Sequence, residues 1–239
     1  MAENDNDKLA VLIDADNAQA TSCPELLAEI SKFGVASVKR AYGDWTTTSL
    51  RGWKSHLHKH AIQPIQQFSY TQGKNSTDSS LIIDAMDLLH EGRLDGFCLI
   101  SSDSDFTRLA TRIRESGLVV YGFGEEKTPE SFVAACDKFI YTEVLRKSEN
   151  TKRKDESSNP ELKRIIVSAV NAVSKDDGWS ALSAVGAYIT KNTPSFDPRS
   201  YGYEKLGKLV RSLDYLEFQE RGSSDESTHG HIYVKEKNV

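Results

Sequence analysis

Leu9-Ala10-Val11-Leu12-Ile13-Asp14-Ala15-Asp16-Asn17 is the stretch that decides the fold. Five apolar residues run together without the polar alternation of a half-exposed strand. Such a run reads as a strand buried on both faces, and strands of that kind belong to parallel sheets covered by helices. The run stops abruptly at Asp14. The same pattern recurs in Gly96-Phe97-Cys98-Leu99-Ile100, which stops at Ser101-Ser102-Asp103-Ser104-Asp105. Between and beyond the two runs, helix and strand signals alternate. Helices are expected over 24–33, 50–60, 76–90 and 106–115, with Gly34, Gly92 and Gly117 as stops. Extended segments are expected over 35–42, 62–68 and 118–121. The expectation is an α/β fold, a parallel sheet with helices on both faces.

The acids fall where such a sheet binds ligands. An open parallel sheet does so beyond the carboxyl ends of its strands, at the switch in strand order. Asp14 and Asp16 follow one strand, and Asp103 and Asp105 follow another. If those strands are neighbours, the carboxylates converge and repel one another unless a cation lies between them. Oxygen donors without His or Cys suit Mg²⁺ or Mn²⁺. Such an ion activates water and stabilises charge on a phosphoryl group. A further acid comes from helix 76–90. At about 100° per residue, Leu81, Ile82, Ala85, Met86, Leu88 and Leu89 share one arc. Asp78 falls near its centre, Asp84 toward its edge, and Asp87 points away. A buried unpaired carboxylate is costly, so Asp78 calls for a metal, a hydrogen-bond network or a cleft. The helix dipole alone also favours an acid there. Asp103 or Ser102 equally serves as a helix cap. Asn17 either orients the metal shell or makes an Asx turn. No Gly-x-Ser-x-Gly elbow surrounds Ser101 and Ser102, which argues against a serine nucleophile.

Four segments together resemble one family. Leu12-Ile13-Asp14-Ala15-Asp16-Asn17, Lys74-Asn75-Ser76-Thr77-Asp78, Ile83-Asp84-Ala85-Met86-Asp87 and Ser101-Ser102-Asp103-Ser104-Asp105-Phe106 resemble the LabA-like NYN domain, in family order and over residues 8–145. The NYN family belongs to the PIN-like metal-dependent nucleases. The resemblance implies Mg²⁺ or Mn²⁺ held by Asp14, Asp78, Asp103 and Asp105, with Asn17 in support and Asp84 as a further acid. It also implies RNA cleavage by metal-activated water. A phosphatase of the haloacid dehalogenase type shares the Asp-x-Asp after a strand. Ala18 stands where that chemistry usually has Thr or Val, and its later Lys and paired Asp are not evident.

Residues 39–74 carry Lys39, Arg40, Arg51, Lys54, Lys59 and Lys74 against a single acid, Asp44. Tyr42, Trp45, Trp53, Phe68, Tyr70 and three histidines are interleaved. Bases beside aromatics suit single-stranded nucleic acid, and they equally suit an exposed helix face over core aromatics. Lys74, next to the start of the Asp78 helix, is the best placed to meet a scissile phosphate. Arg40, Arg51 and Lys54 are the companion RNA contacts. Of His56, His58 and His60, only the first and last share a helical face, a poor metal spacing by itself.

Composition shifts near residue 148. The division expected is 1–147, a solvated linker over 148–159, and a small α+β domain over 160–239. Leu162, Ile165, Ile166, Ala169, Val170 and Val173 form one helical face. A second helix is expected over 180–190, a turn at Asp197-Pro198, a third helix carrying Leu206 to Leu213, and a closing hairpin. That is the outline of a winged helix. The stretch from Phe196 to Leu206 resembles the OST-HTH, or LOTUS, domain. The resemblance implies RNA binding, and in some members a protein partner. Lys205, Lys208 and Arg211, three residues apart, are its expected phosphate contacts.

The whole chain of 239 residues carries a net charge of −5, which excludes a protein coated evenly in cations. The first 147 residues hold 16 bases and 21 acids, and residues 160–239 hold 11 of each, so the whole deficit sits in the part of the chain with the proposed metal cluster. Three widely spaced cysteines form no Cys-x-x-Cys pair and suggest a reduced, cytoplasmic setting. No apolar run approaches a membrane span. A metal-dependent ribonuclease is the reading, with a non-catalytic RNA-binding adaptor as its alternative.

Overall fold

The computed structural model describes residues 7–68, 76–146, 159–221 and 231–237. It divides into two compact units, 1–148 and 149–239. Apart from Asn159, the expected linker lies outside the described residues. Among the described residues no helix is long and apolar enough to cross a membrane.

The first unit runs β1 (Lys8–Asp14), α1 (Cys23–Ile30), β2 (Val35–Gly43), α2 (Trp53–His60), β3 (Gln63–Gln66), α3 (Ser76–Glu91), β4 (Gly96–Ile100), α4 (Thr107–Glu115), β5 (Val119–Gly124), α5 (Glu130–Ala135), β6 (Lys138–Tyr141) and α6 (Thr142–Arg146). The sheet order is β3-β2-β1-β4-β5-β6, and every pairing is parallel. The order reverses between β1 and β4, which places the switch point between the two apolar runs. Ile13 pairs with Ile100, so the strands end level and the acids beyond them face a common crevice.

Alternation along β1 builds two cores. Leu9, Val11 and Ile13 pack with Cys23, Leu26, Ile30 and Trp53 on the side of α1 and α2. Ala10 and Leu12 pack with Leu81, Ala85, Leu109 and Phe132 on the side of α3, α4 and α5. Both faces of the sheet are therefore dry, as a continuous apolar run demands. Gly122 admits the next strand, since a Cβ there would lie 2.4 Å from the Phe139 ring.

Three expectations change in the first unit. The strand expected over 118–121 continues to Gly124, and α5, β6 and α6 follow it unannounced. The helix expected from residue 50 opens as a 3₁₀ turn, Ser49–Gly52. Tyr42 and Trp53, interleaved among the bases, are 0% and 2% exposed. They are core residues and present no stacking face to a nucleobase.

The second unit contains α7 (Pro160–Ala172), β7 (Ser180–Ala181), α8 (Leu182–Asn192), α9 (Leu206–Arg211), β8 (Leu216–Arg221) and β9 (His231–Glu236). Asn159 caps α7, its side chain accepting from the amides of Glu161 and Leu162. Ser180 and Ala181 do not begin a helix as expected. They pair with Val234 and Tyr233, giving an antiparallel sheet of order β7-β9-β8. Leu162, Ile166, Val170, Val185, Leu209 and Val234 share one core.

Candidate active site

Asp14, the last residue of β1, is fully buried. Its Oδ2 accepts from Ser101 Oγ at 2.7 Å and from Asn17 Nδ2 at 2.8 Å, while Oδ1 accepts from the Asn17 amide at 3.3 Å. Burial pushes the Asp14 carboxyl above its ordinary range, and these donors pull it back by favouring the charged form. The Asx-type turn is thus made by Asp14, whose carboxylate accepts from the Asn17 amide, while the Asn17 side chain donates to the acid and orients it.

Ser101 Oγ also accepts from the Asp103 amide at 3.1 Å. Asp103 Oδ1 accepts from the Asp105 amide at 2.9 Å, capping the 3₁₀ turn Ser104–Phe106. Ser102 takes no part in that cap. It accepts instead from the Glu125 amide at 2.9 Å. From the other side, Thr77 Oγ1 donates to Asp16 Oδ2 at 3.1 Å and ties the start of α3 to the loop after β1. Asp78 follows directly.

One carboxylate oxygen from each of Asp78, Asp103 and Asp105 lies within 4.8 Å of the others. Asp78 is half-buried and Asp105 exposed, so the trio opens to solvent. Burial, then the charges of Asp14, Asp103, Asp105 and Asp16, push the Asp78 carboxyl up to about 6. A divalent cation is the counter-charge that relieves this, and the donors are all hard oxygens. The residues therefore fit Mg²⁺ or Mn²⁺. Asp14 is not one of the trio, yet its charge acts on Asp78 more strongly than any other.

Other expected site residues are placed differently. Asp84 Oδ2 accepts from Arg40 Nη1 at 2.9 Å and from the buried Tyr42 hydroxyl at 2.8 Å, which clips α3 to β2. Arg40 is thereby engaged inside the fold. Arg51 and Lys54 are exposed. Lys74 lies outside the described residues. Lys205 is exposed, Lys208 pairs with Glu204, and Arg211 pairs with Glu220. Two contributors escaped the sequence reading. Thr77 is a buried hydroxyl just ahead of Asp78. Ser101, read from the sequence only as no nucleophile, links Asp14 to the Asp103 backbone. Their signal is a small hydroxyl at the first position past a strand or ahead of an inward acid.

The NYN domain model matches residues 8–145. The chain belongs to the NYN-domain family. An OST-HTH/LOTUS domain follows, matched over residues 156–228. The first unit is therefore nuclease-like, of a class that generally uses divalent metals, and LOTUS domains bind RNA. No curated protein matches the chain. Among solved structures, a Vibrio parahaemolyticus protein of unknown function is 18% identical, with a TM-score of 0.49, over 58% of this chain and 94% of that one. An uncharacterized Nitrosomonas europaea protein is 30% identical over 39% of this chain and 87% of that one, with a TM-score of 0.32. A Chromobacterium violaceum protein fragment is 38% identical over 38% and 90% of the two chains, with a TM-score of 0.28.

Proposed function

We propose that this NYN-family protein is a metal-dependent ribonuclease. It hydrolyses RNA phosphodiester bonds in the first unit and selects RNA through the LOTUS domain. The observation that carries the reading is the Asp78–Asp103–Asp105 trio of oxygens beyond the switch point of the sheet. Asp14, Asp78, Asp103 and Asp105 would hold Mg²⁺ or Mn²⁺. An ion so held supplies Lewis acidity, which activates water and offsets charge on the phosphoryl oxygens. Ser101 and Asn17 favour the ionised form of Asp14 and fix its direction. Thr77 holds the first turn of α3, so Asp78 meets the strand ends in one position. Exposed Asp105 is the member of the trio presented to substrate.

Lys74, two residues before α3, is the cation assigned to the scissile phosphate. Arg51 and Lys54, both exposed, are the companion phosphate contacts, and Arg40 drops out because Asp84 holds it. In the LOTUS domain, Lys205, Lys208 and Arg211 make the phosphate contacts. The pairs with Glu204 and Glu220 are exposed and screened by solvent and salt, so they give way to phosphate.

The test is cleavage of labelled RNA with Mg²⁺ or Mn²⁺, by wild type and by Asp103→Asn. Metal-dependent cleavage by wild type alone is expected. Equal cleavage by both proteins sinks the mechanism. Tight RNA binding with cleavage by neither makes the chain an adaptor instead.

A further inference from the structure

Away from the carboxylates, α1 and α2 lie on one face of the sheet and bring Cys23, His56 and His60 together. The Cys23 sulfur and one ring nitrogen of each histidine lie within 4.8 Å of one another. Cys23 is 1% exposed, and both histidines are half-buried. The two imidazoles lie nearly parallel, with centroids 6.1 Å apart and 7° between planes. Their i,i+4 spacing on α2 puts them on the same face. His56 Nδ1 and His60 Nε2 are each buried without a hydrogen-bond partner. Buried polar atoms of folded proteins are nearly always satisfied, so an orphan points to a bound water or ion. Two orphaned imidazole nitrogens in one cluster with a thiol point to an ion.

We propose that Cys23, His56 and His60 form a zinc site separate from the carboxylate centre. A thiolate with two imidazoles prefers Zn²⁺ to Mg²⁺ or Mn²⁺, the reverse of the all-oxygen trio. The His-x₃-His spacing with a cysteine from elsewhere is a familiar zinc arrangement, and three protein ligands leave the fourth position to water. On binding, the Cys23 S–H bond breaks, its proton leaves to solvent, and the sulfur lone pair bonds to zinc. No electron is transferred. The competing positive charge nearby comes from Lys39, whose Nζ donates to the His60 carbonyl at 2.6 Å, and from Lys59. Glu25 on α1 supplies opposing negative charge beside Cys23. An ion here ties α1 to α2, the helix that carries Lys54 and follows the turn with Arg51.

The experiment uses the full chain, stripped with chelator, and Co²⁺ as the probe. Thiolate bound to tetrahedral cobalt gives a charge-transfer band in the near ultraviolet. Wild type and Asp103→Asn are both expected to show it. Added Zn²⁺ should abolish the band, and excess Mg²⁺ should leave it unchanged. Cys23→Ser should lose it, with circular dichroism confirming that the variant folds. Zinc-edge X-ray absorption on the loaded wild-type chain needs no variant and should find one sulfur and two imidazole nitrogens. A band that survives Cys23→Ser, the absence of any band in wild type, or an all-oxygen shell at zinc overturns the site.

Discussion

Asp14 ends β1 and Ser101 directly follows the neighbouring β4, and the Ser101 hydroxyl donates to Asp14 Oδ2 at 2.7 Å across the switch point. Both side chains are buried. Because the same hydroxyl oxygen accepts from the Asp103 amide, one serine couples the acid of β1 to the backbone that carries the acids after β4. The crevice is thus held by a side chain that bears no charge.

Ser101→Ala removes both bonds and leaves a buried carboxylate short of a donor. Losing such a partner costs about 1–3 kcal/mol. Urea unfolding should detect that loss, and single-turnover cleavage should slow. Ser102→Ala is the control, since that hydroxyl supports only the Glu125 amide. Equal effects from the two serines would contradict the coupling.

Asp78→Asn should stabilise the metal-free protein while abolishing metal-dependent cleavage. Asp78 is raised from 3.8 to about 6, so the folded chain binds that proton more tightly than the unfolded chain does. Its contribution to stability is therefore complete below 3.8 and is lost as pH rises through about 6. Asp78 is half exposed, and solvent screening leaves the cost at neutral pH near 1 kcal/mol. Replacing it should raise Tm by about 2–4 °C in chelator at pH 7 and flatten the fall of Tm between pH 4 and 7. Added Mg²⁺ should raise the Tm of wild type and not that of the variant. A lower Tm for Asp78→Asn in chelator would mean that the acid is structural.

Asp84→Ala should separate a structural acid from the functional ones. It strands the buried Tyr42 hydroxyl and releases Arg40, at a cost of about 1–3 kcal/mol. Because Asp84 lies outside the trio, cleavage per folded molecule should stay within about threefold of wild type. Denaturant unfolding and initial rates at saturating metal measure the two effects. A fall in rate as deep as that of Asp103→Asn would place Asp84 in the metal shell.

The two strand-end acid pairs were legible because a buried parallel strand leaves an unbroken apolar run, and the residue that breaks it marks the carboxyl edge. Asp78 was legible from its helical phase. The division of labour among the acids was not. Asp14 is buried and hydrogen-bonded to Ser101 and Asn17 while Asp105 is exposed, and pairings formed across strands decide that. The strand Lys138–Tyr141 escaped because four residues opening on lysine carry too little apolar pattern. Tyr42 and Trp53 were ambiguous because a buried aromatic and a stacking aromatic read alike in one dimension. Cys23 joins His56 and His60 only because α1 and α2 share a sheet face, a pairing of helices that no local spacing announces.

In the LOTUS domain, Lys205, Lys208 and Arg211 can be tested by charge. If they contact phosphate, replacing all three with glutamine removes up to three counter-ion releases. For single-stranded RNA the slope of log K against log salt should then flatten by about 2. Glu204→Gln frees Lys208 from its 2.5 Å ion pair. Because solvent and salt screen an exposed pair, this variant should tighten RNA binding by no more than about fivefold and leave the slope unchanged. The two variants thus move affinity in opposite directions for one physical reason, the availability of cations on α9 and at its N-cap. If the triple variant binds RNA with the wild-type slope, the phosphates run elsewhere and selection by this helix fails, while the carboxylate chemistry of the NYN unit is untouched.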